Sequence, residues 1–78
     1  MSHDDKLFYM ANQIGKFFAS TPHDSAVASI ADHIAKFWDP RMRRKVYAQM
    51  AHDTQGLDPL PKEALEALKR RDSVATSD

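Results

Sequence analysis

At 78 residues the chain has room for one small domain, and at 42% hydrophobic and 28% charged it is too apolar to read as a disordered segment. Eleven basic and eleven acidic side chains cancel, which removes any global field for holding DNA or an anionic membrane. The lack of cysteine excludes disulfides, thiolate zinc sites and iron–sulfur ligands. A core of this size rarely supplies more than ~3–5 kcal/mol, so a partner subunit is the expected source of further stability. No apolar run approaches the ~20 residues needed to span a bilayer, and the opening MSHDDKLF lacks a signal peptide's basic start and cleavage site. The expected location is the cytoplasm.

In DDKLFYMANQIGKFFAS (4–20), Leu7, Met10, Ala11, Ile14, Phe17 and Phe18 recur at helical spacing, with Asn12, Gln13 and Lys16 opposite. Asp4 or Asp5 suits the first turn, both as a cap and as negative charge at the positive end of the dipole. Gly15 costs a helix about 1 kcal/mol against alanine, which points either to a close approach by another backbone or ring or to simple tolerance. Phe8 lies off the stripe and is the expected exposed aromatic.

Thr21-Pro22 ends this helix, because the residue before proline is pushed out of the helical region. Asp24 or Ser25 then caps SAVASIADHIAKFW (25–38), where Val27, Ile30, Ala31, Ile34, Phe37 and Trp38 form one stripe. Asp39-Pro40 predicts an immediate restart, with Asp39 as cap and Pro40 in the first position, where no amide hydrogen is needed. This third helix reaches about Thr54, and Gly56 offers a left-handed stop. A second Asp-Pro opens DPLPKEALEALKRR (58–71), a short fourth helix with Leu60, Ala64, Ala67 and Leu68 on one face. The expected fold is an all-α bundle of three main helices plus that short fourth. Residues 1–71 form the domain, and DSVATSD (72–78), without periodic apolar residues, is the expected disordered tail.

Catalytic chemistry finds no foothold in this pattern. His3, His23, His33 and His52 are dispersed, no helix carries a metal-ligand spacing, and no Gly-rich phosphate loop or activated nucleophile is present. Asp32 and His33 are neighbours in sequence but point about 100° apart on a helix, so they do not act as a pair. The cations of FWDPRMRRK divide in the same way. Arg41, Arg44 and Lys45 fall on the polar side of the third helix, whereas Arg43 stands in the stripe of Met42, Val46, Tyr47 and Met50. A buried guanidinium needs compensation, either from Asp32 or Asp39 within the chain or from a carboxylate or carbonyls on another chain.

MANQIGKFF (10–18), IADHIAKFWDPRMRRKV (30–46) and GLDPLPKEAL (56–65), in that order, resemble the delta subunit of cytoplasmic NAD-dependent formate dehydrogenases. The resemblance covers most of the span from Leu7 to Leu68, and Trp-Asp-Pro-Arg-Met-Arg is its specific part. It implies a small cofactor-free component of a larger complex, concerned with maturation or stability. In that family the alpha subunit holds a molybdenum or tungsten bis-pterin guanine dinucleotide centre and iron–sulfur clusters. Beta and gamma subunits pass electrons through flavin and clusters to NAD. The reading is therefore a non-catalytic accessory subunit docking on the alpha subunit, with Phe37, Trp38, Asp39, Pro40, Arg41, Met42, Arg43 and Arg44 as the partner-binding segment. Its rivals are a maturation chaperone that binds only the immature enzyme, and a nucleic-acid-binding regulator using Arg41, Arg44 and Lys45.

Overall fold

A computed structural model describes the chain over residues 5–76, with the side chains of residues 6–73. Four helices follow one another: α1 (Asp5–Phe18), α2 (His23–Phe37), α3 (Pro40–His52) and α4 (Pro59–Thr76), with no strand among the described residues. The body measures 35 × 34 × 19 Å. Its short dimension is about two helix diameters of roughly 10 Å, so the helices lie in two layers. The most extensive packing joins α2 to α4, and α1 lies against both.

The core follows from the apolar periodicity. Ile30 and Ile34 of α2 and Leu65 and Leu68 of α4 are fully buried, and α3 enters through Val46, Tyr47 and Met50. Each large aliphatic side chain taken out of water contributes about 1.5–3 kcal/mol. Asp39 caps α3 as expected: its Oδ1 accepts from the Met42 amide at 2.8 Å, and Pro40 fills the first helical position.

Several elements differ from the sequence expectation. On α1 the buried set is Leu7, Phe8, Ala11 and Gly15, so the inward face is rotated by roughly 70° from the predicted stripe at 100° per residue. Phe8, expected outside, is 4% exposed, and Phe17, expected inside, is 78% exposed. Neither Asp24 nor Ser25 caps α2: Pro22 holds the cap position without a side-chain bond, and its carbonyl accepts from the Ala26 amide at 2.8 Å. Helix α3 ends at His52, and Gly56 serves a separate turn in which the Leu57 amide donates to the Thr54 carbonyl at 3.0 Å. Gly56 has φ +90°, the conformation a type II turn requires at its third residue.

The fourth helix is the longest rather than a short appendage, at 18 residues. Residues 72–76, expected in the tail, continue α4, while residues 77 and 78 lie outside the described range. Apolar periodicity stops at Leu68, but the same face continues one turn on with Asp72, which bonds to α3.

Asn12 and Gly15 join α1 to the last third of the chain. Asn12, on the polar side of the predicted pattern, donates from Nδ2 to the Gly56 carbonyl at 2.9 Å and accepts at Oδ1 from the Asp58 amide at 2.8 Å. Gly15 meets the buried Pro61 ring, and a Cβ there would lie 2.9 Å from Pro61 Cδ and 3.2 Å from Cγ. Close approach, not tolerance, explains that glycine. The ring is tied to the α4 backbone and cannot swing aside. Gly15→Ala is therefore expected to lower stability by about 1 kcal/mol net, since overpacking of ~1–3 kcal/mol exceeds the ~1 kcal/mol gained in helix propensity. Thermal unfolding followed by circular dichroism checks this, and an unchanged or higher midpoint would count against the contact.

Candidate functional site

The stretch from Phe37 to Arg44 is a helix–helix corner with no loop to speak of. Only Trp38 and Asp39 separate α2 from α3. A corner this tight leaves the last carbonyls of α2 without helical donors. Arg43 reaches back to them: Nη1 donates to the Trp38 carbonyl at 2.8 Å and to the Ala35 carbonyl at 3.3 Å. Its Nε donates to Asp72 Oδ2 at 3.0 Å, and the same oxygen accepts from the Tyr47 hydroxyl at 2.6 Å. A cation in the first turn of α3 opposes that helix's dipole, but here it sits at the negative end of α2. The clamp is largely shielded, the Arg43 and Asp72 side chains being 17% and 30% exposed. Tyr47's phenol is pushed above its ordinary range, first by burial and then by its hydrogen bond to Asp72.

Arg43 thus finds its partner inside the chain, and that partner is neither of the acids first considered. Asp39 caps α3, and Asp32 makes an exposed pair with Arg71 at 3.5 Å. The sequence concealed the answer because Asp72 lay in the presumed tail.

On one side of the corner lies an open groove of about 450 Å³. Trp38, 4% exposed, forms part of its floor, Phe37 and Met42 wall one side, and Tyr9, Met10, Gln13 and Ile14 of α1 wall the other. Tyr9, Phe17 and Phe37 are 62%, 78% and 69% exposed, the large apolar side chains most open to solvent among the described residues. The rings are ordered by one another. The Phe17 and Phe18 ring centroids stand 4.9 Å apart edge-on, and the His33 ring lies 4.6 Å from Phe37. Gln13 Nε2 donates to the Tyr9 hydroxyl at 2.8 Å, bracing that ring on the ridge.

A smaller cavity of about 350 Å³ opens on the other side of the corner, lined by Pro40, Arg43, Arg44, Tyr47, Lys69 and Asp72, with Ser73. The predicted segment therefore divides. Phe37, Trp38 and Met42 belong to the groove; Pro40, Arg43 and Arg44 belong to the second cavity; Asp39 is spent on capping, and Arg41 is exposed. Tyr9, Met10, Gln13, Ile14 and His33, which join them at the groove, were not foreseen. For Met10 and Ile14 the signal was the breadth of the α1 stripe, wider than one buried face requires.

Among the described residues no group of three or more His, Asp or Glu side chains could hold a metal ion. None of their helices is long and apolar enough to cross a membrane. What these residues define is a small all-helical chain with one open, aromatic-walled face. The model of the NADH-dependent formate dehydrogenase delta subunit family, FdsD, matches residues 6–65, and the chain belongs to that family. No curated protein and no solved structure matches it.

Proposed function

We propose that the chain is a non-catalytic accessory subunit of a cytoplasmic NAD-dependent formate dehydrogenase, docking on the alpha subunit and supporting assembly or stability of the complex. Family membership over residues 6–65 carries this reading. The exposed Tyr9, Phe17 and Phe37 support it, since aromatic and methionine side chains are enriched in protein interfaces. In this reading the chain holds no redox centre of its own. The molybdenum or tungsten bis-pterin guanine dinucleotide, the iron–sulfur clusters, the flavin and the NAD site belong to the alpha, beta and gamma subunits. The rival nucleic-acid reading rests on the exposed Arg41, Arg44 and Lys45 alone, and a chain of zero net charge adds no wider basic field to them.

A tagged copy co-expressed with the complex tests the proposal on a sizing column. The chain is expected to elute at a constant ratio to formate-dependent NAD reduction. Elution wholly apart from that activity would sink the subunit reading. Association only with cofactor-free enzyme would assign the chain to the maturation chaperones.

A further inference from the structure

We infer that the groove between α1 and the α2–α3 corner receives an amphipathic helix of the partner, one whose apolar stripe is flanked at both ends by carboxylates. This rests on the proposed subunit role and specifies the chemistry of the contact.

The apolar part of the argument is geometric. Tyr9, Gln13 and Phe17 stand at i, i+4 and i+8 on α1, so their ridge is about 12 Å long at ~1.5 Å per residue. That is the length of a two-turn stripe on an opposing helix. The groove volume lies in the ~300–1,000 Å³ range of ligand clefts, yet its walls carry aromatic and aliphatic side chains with few polar groups to orient a small polar ligand. Helices form every wall, and the described residues expose no strand edge for strand addition. An apolar groove of this kind is filled by helix anchors at i, i+3 or i+4, and i+7.

Charge selects among apolar helices. Lys6 and Lys16 project from the same exposed side of α1 as the Tyr9–Phe17 ridge, Lys6 before its start and Lys16 next to Phe17 at its end, about 15 Å apart. Across the groove, Lys36 lies one turn after His33 and immediately before Phe37, and Arg41 precedes Met42. All four are exposed, and none is paired with a carboxylate among the described residues. Three acids are engaged with other partners: Asp32 with Arg71, Glu63 with His23, Asp72 with Arg43 and Tyr47. Asp39, the carboxylate next to the groove in sequence, is turned onto the Met42 amide. A chain of zero net charge thus presents an apolar groove with a cationic rim, and a matching surface carries acids around its apolar anchors. Four cations spread around aromatic walls do not form the continuous track that a phosphate backbone follows.

The test uses the intact complex and two double variants, Phe17→Ser with Phe37→Ser and Lys16→Glu with Lys36→Glu. All four positions are exposed, so circular dichroism should show an unchanged fold. Each double variant is expected to lose at least about tenfold in affinity for the complex, the size of a hot-spot loss, and the charge reversal should also flatten the salt dependence of binding. A photo-crosslinking residue at Gln13 is expected to capture a peptide of another subunit with apolar residues at helical spacing and Asp or Glu at both ends. Wild-type retention by the Phe variant would overturn the groove while leaving the subunit role intact. Loss in the Phe variant alone, with the charge reversal silent, would overturn the acidic partner. A wild-type dimer dissolved by the Phe variant, with retention on the complex unaffected, would give the groove to a second copy and overturn the proposal. Failure of the wild-type chain to elute with the enzyme would instead remove the subunit role itself.

Discussion

Asp72→Ala, or removal of residues 72–78, is expected to lower the thermal midpoint of the free chain by about 10–20 °C. Asp72 Oδ2 accepts from both Arg43 Nε and the Tyr47 hydroxyl in a shielded corner, so its loss strands two donors. Hydrogen bonds to a charged group contribute roughly 1.5–3 kcal/mol, and in a chain of this size each kcal/mol moves the midpoint by about 4–8 °C. Asp72→Asn keeps an acceptor without the charge and should fall between. Arg43→Lys should resemble the alanine variant more than the wild type, because one ammonium cannot meet Asp72 and the α2 carbonyls as the guanidinium fork does. The phenol adds a pH signature. Its folded-state pKa is raised, so its contribution is fully present below the unfolded phenol's value of about 10 and is lost as pH rises above it. Calorimetry in which truncation leaves the midpoint unmoved would reject the clamp.

Adjacent aromatics should behave as opposites. Trp38→Ala is expected to cost about 3–5 kcal/mol, which equals the ~3–5 kcal/mol that a core of this size provides, leaving the free chain largely unfolded at 37 °C. Phe37→Ala removes an exposed ring whose neighbour is His33 at 4.6 Å, so it should cost about 1 kcal/mol or less. In complex formation Phe37→Ala should weaken binding at nearly unchanged stability, while Trp38→Ala, which takes away part of the groove floor, should act mainly through unfolding. Chemical denaturation of the two variants side by side decides the point. Equal losses of stability would mean that the corner is packed differently.

The helices were legible because their signals are local. Asp39-Pro40 specified the α3 start, and the α2 stripe named Ile30, Ala31, Ile34 and Trp38 as core. The orientation of α1 was not legible, because Met10 and Ile14, which line the groove, and the exposed Phe17 drew the apolar stripe away from the core. The dual bond of Asn12 and the length of α4 depend on partners dozens of residues away, which no periodicity records. Arg43 was recognisable as a charge in the wrong place, and its partner was not, because an acid in an apparently structureless tail has nothing local to distinguish it. The same limit applies to the groove. Phe37 was visible as an aromatic, but its separation from Trp38 depends on which way the α2–α3 corner turns.

The bonds from Asn12 to Gly56 and Asp58 set an order on the making of this protein. During synthesis α1 is made first, and its packing against α4 can form only after α2 and α3 have followed it. Pro61, in the first turn of α4, then meets Gly15, and Asp72 reaches the corner only 29 residues after Arg43. A chain still being made therefore lacks the Asp72 bonds that tie α4 to the α2–α3 corner, so the corner is the last part of the described fold to be secured.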